Sequence, residues 1–193
     1  MALRRGFKAE AERISAELRD QLDVGVRDSI DVRELAEKLK VRVIDAADLV
    51  ERRRLEELES IQSYAFSACT FEVHGHRFIV VNPLRSAPRQ VSDIAHELAH
   101  IILKHQLSEI RMLDGVPFRT CHALQEEEAT ALGGAILLPR QLLISEARQG
   151  ATPETVARKF GVTQEIASFR FNSTGVALQV AREKGRRVRT GRP

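Results

Sequence analysis

A chain of 193 residues, 43% of them hydrophobic, is long enough to bury one core and to carry a small appended unit. Its 30 Lys and Arg against 27 Asp and Glu leave a formal charge of +3, too little to make the whole surface a binder of nucleic acid or membrane. Cys69 and Cys121 lie far apart and outside any CxxC pattern, which argues against a disulfide framework and a cysteine-rich zinc site and fits a reduced cytoplasm.

In chain order, the first ten residues are basic and then polar, and no later apolar run approaches the ~18 residues of a spanning helix, so neither secretion nor membrane insertion is expected. Phe7, Ala11, Ile14, Leu18 and Leu22 recur at steps of three or four and predict an amphipathic helix ending near Asp23 and Gly25. Asp31 and Glu34 have capping-box spacing. A second helix should therefore begin at Asp31 and run through Leu35 and Leu39 into an apolar stretch, 41–44, that suits a strand. Residues 46–59 are densely charged and read as one exposed helix, while 64–73 and 76–81, separated by His74-Gly75, predict a β-hairpin. Pro88 suits the first turn of a helix that continues through Ile94, His96, Leu98, Ile101 and Ile102 toward Lys104. Residues 106–120 sustain no period and contain Asp114-Gly115-Val116-Pro117, so a loop is expected before a helix over 122–138. Pro139 marks a break. Helical signals resume to Gln149-Gly150, Thr152-Pro153-Glu154 caps a further helix, and its successor follows Gly161. The tail from Arg182 is basic and is expected to fray.

The chemistry is concentrated in His96-Glu97-Leu98-Ala99-His100. Histidines four apart on a helix stand one turn above each other, so both imidazoles can reach one ion. Glu97 is rotated off that line, which suits a general base that takes a proton from the attacking water instead of binding the ion. Peptide hydrolysis is the reaction such a set supports. The plainer alternative is an amphipathic helix with two histidines. Against it stand the apolar residues Ile94, Leu98, Ile101 and Ile102 around the motif and the hairpin before it, whose edge could hold an extended peptide.

An open zinc site needs one more protein ligand, and the candidates are His74, His76, His105, His122 and the run Glu126-Glu127-Glu128. Glu126, Ala129, Thr130, Gly133 and Leu137 share one helix face, small and mostly uncharged, from which Glu126 projects inward. That phase favours Glu126, with Glu128 as the alternative and Glu127 as a solvated residue. Gly133-Gly134 in mid-helix costs about 1 kcal/mol per glycine relative to alanine, which close approach of another backbone would offset.

These blocks resemble the ImmA/IrrE-type metallopeptidases. The resemblance is carried by Phe66-Ser-Ala-Cys-Thr70, Arg77-Phe-Ile-Val-Val-Asn-Pro83, the stretch from Arg89 through the histidine motif to Leu103, and the stretch from Glu126 to Pro139. It implies an α+β, zincin-like metallopeptidase domain with a small β-hairpin or sheet packed on the HExxH helix. It also implies zinc as cofactor, His96, His100 and Glu126 as metal ligands, and Glu97 as the catalytic base. Members cleave or destabilise a helix-turn-helix repressor of the XRE type, which releases stress-response or mobile-element genes, so a cytoplasmic metalloendopeptidase with such a repressor as protein substrate is the expectation. The expected organisation is a peptidase domain over 1–150, a bihelical helix-turn-helix-like extension over 151–181 and a basic flexible tail over 182–193. There are departures: Thr130 stands where the family commonly has Asn, Gly133-Gly134 where it has residues such as Ala-Ala, and Lys104 where it often has His. His105 is offset by one and is left out of the expected site.

Residues 154–167 have the spacing of a helix-turn-helix, but the second helix carries only Arg170 as a cation and begins with Glu165, so DNA contact is not expected of it. The basic tail is read as a solvated charge run, and Tyr64 as a structural tyrosine at a strand edge in preference to a hydrogen-bond donor in catalysis. The competing function is a non-catalytic metal sensor or DNA-binding regulator.

Overall fold

In the computed structural model, which describes residues 3–64, 66–106, 110–113, 116–119 and 122–190, the first apolar period forms α1 (Phe7–Gln21), burying Phe7, Ala11 and Leu18. The Asp31 carboxylate accepts from the backbone N–H groups of Arg33 and Glu34 and starts α2 (Val32–Lys38), which leads into β1 (Val41–Asp45). The charged segment is not one helix. A 3-10 turn at Ala46–Asp48 precedes α3 (Arg52–Ile61), whose exposed side is laced by Arg52–Glu56 and Arg53–Glu57 pairs at i,i+4.

The hairpin is β2 (Ala68–Val73) and β3 (His76–Val81). His74 and Gly75 both have positive φ, 50° and 76°, as a two-residue type I′ turn requires. Strand β1 pairs with β3 in parallel, so the order β1-β3-β2 leaves β2 at an edge. Alternation on β3 splits the apolar residues between two faces: Ile79 and Val81 join the main core, while Val80 meets Ala46 and Leu55 beneath α3.

The second histidine-bearing element, α4 (Ala87–Ile102), is followed by a difference from expectation. Within 106–120, Ile110–Leu113 and Val116–Arg119 form an antiparallel pair, β4 and β5, with Met112 opposite Pro117; residues 107–109, 114, 115 and 120 lie outside the described ones. Strands of four residues are too short to show a period. A proline is tolerated because a two-stranded sheet consists of edges.

Helix α5 (Ala123–Leu137) is the centre of the molecule, with Ala129 and every residue from Ala131 to Leu137 buried. It lies against α4 on one side and α1 on another. Its C-terminal carbonyls are met by a buried arginine: the Arg19 guanidinium donates to Ile136 O at 3.0 Å and also to Gly25 O and Asp28 O, tying down the α1–α2 connection. Beyond Pro139 come α6 (Arg140–Arg148), α7 (Pro153–Phe160) and α8 (Gln164–Thr174). Thr152 and Thr155 close a reciprocal capping box on α7, and Gly161 ends it at φ 64°. Val156, Val162, Ala167 and Phe171 belong to the same core cluster as α1, α4 and α5. The expected frayed tail is, through Thr190, the continuation of α9 (Val176–Thr190); Val176 and Val180 are buried, and Glu183 pairs with Arg148 of α6. Residues 191–193 lie outside the described ones. Among the described residues no helix is long and apolar enough to cross a membrane.

Candidate metal centre

The face of α5 marked out by its small residues packs on the histidine helix. A Cβ on Gly133 would lie 3.1 Å from Ala95 O and 3.2 Å from His96 Cα, so the missing side chain is what lets the two backbones meet at the first histidine. Gly134 has a different reason: its Cβ would meet Arg170 Cδ at 2.8 Å. Two turns before Gly133, Glu126 is carried to the open end of the α4–α5 contact.

There the donor atoms converge. His96 Nε2 lies 3.1 Å from Glu126 Oε2 and 3.1 Å from His100 Nε2, and His100 Nε2 lies 3.5 Å from Glu126 Oε1. Bonds of 2.0–2.1 Å to a tetrahedral ion place neighbouring donors about 3.3–3.4 Å apart, so this set matches the size of a zinc coordination shell. The adjoining imidazoles of His100 and then His96 hold the Glu126 carboxyl well below the usual carboxylate range. Of the histidines and glutamates weighed from sequence, the structure brings these together and places His74 and His76 at the hairpin turn, His122 at the start of α5.

Glu97 is turned the other way. It is buried, and its Oε2 accepts a 2.6 Å hydrogen bond from Thr70 Oγ1 on the edge strand β2. Thr70 belongs to one of the sequence blocks read above, yet no role could be given to it: the contact spans 27 positions and depends on how the sheet lies on α4. One turn before Glu97, Asp93 is paired with Arg89, and burial pushes its carboxyl above the usual value against the pull of that arginine.

His105, omitted from the expected site, is beside it. Lys104 takes a left-handed conformation at φ 55°, and the N–H groups of Lys104 and His105 return to Ile101 O and His100 O, a Schellman closure of α4. This turn folds His105 back so that its Nδ1 is 3.0 Å from His100 Nδ1 and its Nε2 3.3 Å from Glu128 Oε2. Burial lowers the His105 pKa, with Glu128 opposing. Glu128 also accepts from Arg4 Nε at 2.8 Å. Glu128 thus stands behind the donor cluster, while His105, weighed as a ligand and left out for its offset by one, reaches that cluster through a turn that helical spacing does not describe.

On the α1 and α8 side of Glu126, a cavity of about 580 Å³ is lined by Leu3, Lys8, Glu126, Thr130 and Phe169 among others. Thr130 therefore stands beside the donor cluster, one turn from Glu126. Tyr64 and Arg170 both make structural contacts away from the donor cluster. The Tyr64 ring sits over the Arg85 guanidinium at 4.4 Å, in a turn before β2, and Arg85 is held by Glu59. Arg170 is buried, paired with Glu12 and donating to Leu138 O at 3.0 Å, so the only cation of α8 is spent inside the core.

Residues 36–172 match the model of the family Peptidase_M78, described as the IrrE N-terminal-like domain. The match covers most of the chain, including β1 to β3, α4, α5 and the donor residues. Neither the curated proteins nor the solved structures yield a match.

Proposed function

Because the chain belongs to the IrrE N-terminal-like peptidase family, a metallopeptidase family, we propose that it is a zinc-dependent endopeptidase of the cytoplasm that cleaves a helix-turn-helix repressor of the XRE type and so releases stress-response or mobile-element genes. The observation that carries the catalytic part is the division of labour on α4. His96 and His100 converge with Glu126 at zinc-ligand spacing, while Glu97, between them in sequence, points to Thr70 and stays out of the donor cluster. Two histidines and one carboxylate leave a coordination position for water or substrate, the arrangement of a catalytic and not a structural zinc site.

In this reading His96, His100 and Glu126 hold the ion, which when bound supplies a Lewis acid that polarises the scissile carbonyl and acidifies water. Glu97 accepts the proton of the attacking water and returns it to the leaving amine. Thr70 fixes the rotamer of Glu97 by donating to Oε2, leaving Oε1 as the working oxygen. Among the described residues β2 is an outer strand of its sheet, the place where an extended substrate segment would add a further strand, and the cavity beside Glu126 and Thr130 has room for a substrate side chain. A DNA-binding regulator is the weaker reading, since Arg170 is withdrawn from the surface of α8.

The decisive experiment incubates the zinc-loaded chain with the helix-turn-helix repressor encoded nearest to it, using Glu97→Gln as control. Discrete fragments that require Glu97 support the proposal. An intact repressor, or equal cleavage by wild type and Glu97→Gln, overturns it.

A further inference from the structure

We propose that His105, Glu128 and Arg4 form a positioning relay that fixes His100 as a metal donor through Nε2, so that the N-terminal segment, outside the family-matched residues, completes the metal centre. The proposal rests on the reading of His100 as a ligand and adds what holds it.

The contacts, together with a His100 Nε2 kept for an ion, leave one arrangement of hydrogens. A carboxylate paired with an arginine has only lone pairs to offer, so the 3.3 Å contact between Glu128 Oε2 and His105 Nε2 requires the hydrogen on His105 Nε2. His105 Nδ1 lies 3.0 Å from His100 Nδ1, and one of the two must donate. If His100 is to keep a lone pair on Nε2 for an ion, its hydrogen is on Nδ1 and His105 Nδ1 accepts it. The chain then runs in one direction: His100 donates to His105, His105 donates to Glu128, and Glu128 accepts from Arg4. The bare Nε2 of His100 faces His96 Nε2 at 3.1 Å, where the donors meet.

The surroundings fit a relay and not a chance cluster. The His105 side chain is 6% exposed and that of Glu128 18%, so water does not compete freely for either. Lys104 holds a left-handed backbone that non-glycine residues rarely adopt, and what this brings about is the return of His105 onto His100. Arg4 is fixed in turn by Glu10 at 2.8 Å and by stacking 4.8 Å over Phe7, the first residue of α1. A histidine five places after the second ligand thereby reaches it from behind, which the spacing alone would not suggest.

The test uses the full chain and zinc alone. Zinc affinity is measured by competition with a chromophoric chelator for wild type, His105→Ala, His105→Gln, Glu128→Ala, Arg4→Ala and the double variant His105→Ala with Glu128→Ala, alongside melting of the metal-free proteins. His105→Ala and Glu128→Ala should each weaken zinc about 10- to 100-fold with little change in metal-free melting, and His105→Gln, whose amide can both accept and donate, should recover part of the loss. The double variant should be no weaker than His105→Ala alone, and Arg4→Ala should show a smaller loss of the same kind. Zinc affinity within about twofold of wild type in His105→Ala, or losses that multiply in the double variant, would overturn the relay. Nitrogen NMR of the zinc-bound wild type decides the matter should a variant fail to fold: His105 is expected to carry its hydrogen on Nε2 alone, and a hydrogen on its Nδ1 refutes the assignment. A chain that binds zinc through this relay yet cleaves no repressor sinks the repressor-cleavage reading and leaves the relay standing. Cleavage with zinc affinity indifferent to His105 does the reverse.

Discussion

Gly133 of α5 faces His96 of α4 more closely than an ordinary side-chain contact allows: a Cβ there would stand 3.2 Å from His96 Cα and 3.1 Å from the Ala95 carbonyl oxygen. These atoms are backbone and cannot swing aside. Gly133→Ala gains up to about 1 kcal/mol of helix propensity, but overpacking at such a contact costs about 1–3 kcal/mol, so a net loss is expected. The strain is relieved by moving α5 away from α4, which shifts Glu126 relative to the histidines. Calorimetry of the metal-free variant should show a lowered Tm, and chelator competition a weakened zinc affinity. Wild-type values for both would mean that the contact does not set the site's geometry.

Glu97→Gln preserves the size and the Thr70 contact of the side chain but cannot accept a proton. Zinc content should stay stoichiometric while cleavage of the repressor falls by at least about 100-fold, the low end of what a general base contributes. Metal analysis and single-turnover cleavage read the two quantities on one preparation. Normal turnover by the loaded variant would remove Glu97 from the mechanism.

Thr70→Val replaces the hydroxyl by a methyl of similar volume and leaves the buried Glu97 without the donor at 2.6 Å. A drop in turnover of about 10- to 100-fold at unchanged zinc affinity is expected, with Thr70→Ser near wild type. Equal activity of Thr70→Val and wild type would show that Glu97 is oriented by something else.

The glutamate run separates by helical phase. Glu126→Ala should abolish stoichiometric zinc binding and activity, because two histidines make a poor zinc site, whereas Glu127→Ala, turned about 100° away, should keep both. Zinc analysis after gel filtration distinguishes them, and retention of metal by Glu126→Ala moves the third ligand elsewhere.

Zinc should also stabilise the fold, since its donors lie on both α4 and α5. At a free concentration of about 100 Kd the gain is about 2.7 kcal/mol, equivalent to a rise in Tm of roughly 5–10 °C for a chain of this size, reversed by chelation. In Glu126→Ala the rise should vanish. A wild-type Tm indifferent to zinc and chelator would contradict a site built from both helices.

What could be read from the sequence was local and periodic. The approach of the two histidines was legible because four-residue spacing on a helix determines which side chains share a face, and the same phase set Glu126, which lies with them, apart from its two chemically equal neighbours. The hairpin was legible from His74-Gly75, since few residue pairs accept positive φ twice. Gly133 announced a close approach by the cost of glycine within a helix, though not that the partner would be Ala95 and His96. Tertiary structure decided the rest. The strands β4 and β5 are too short to show a period, and α9 runs on to Thr190 with Val176 and Val180 buried, which charge composition concealed. Arg170 looked like a surface cation until burial and Glu12 claimed it. Thr70 and His105 escaped for the same physical reason. A hydrogen bond acts over about 3 Å whatever the separation in sequence, and only the lie of the sheet on α4 and the left-handed turn at Lys104 bring those atoms within that range.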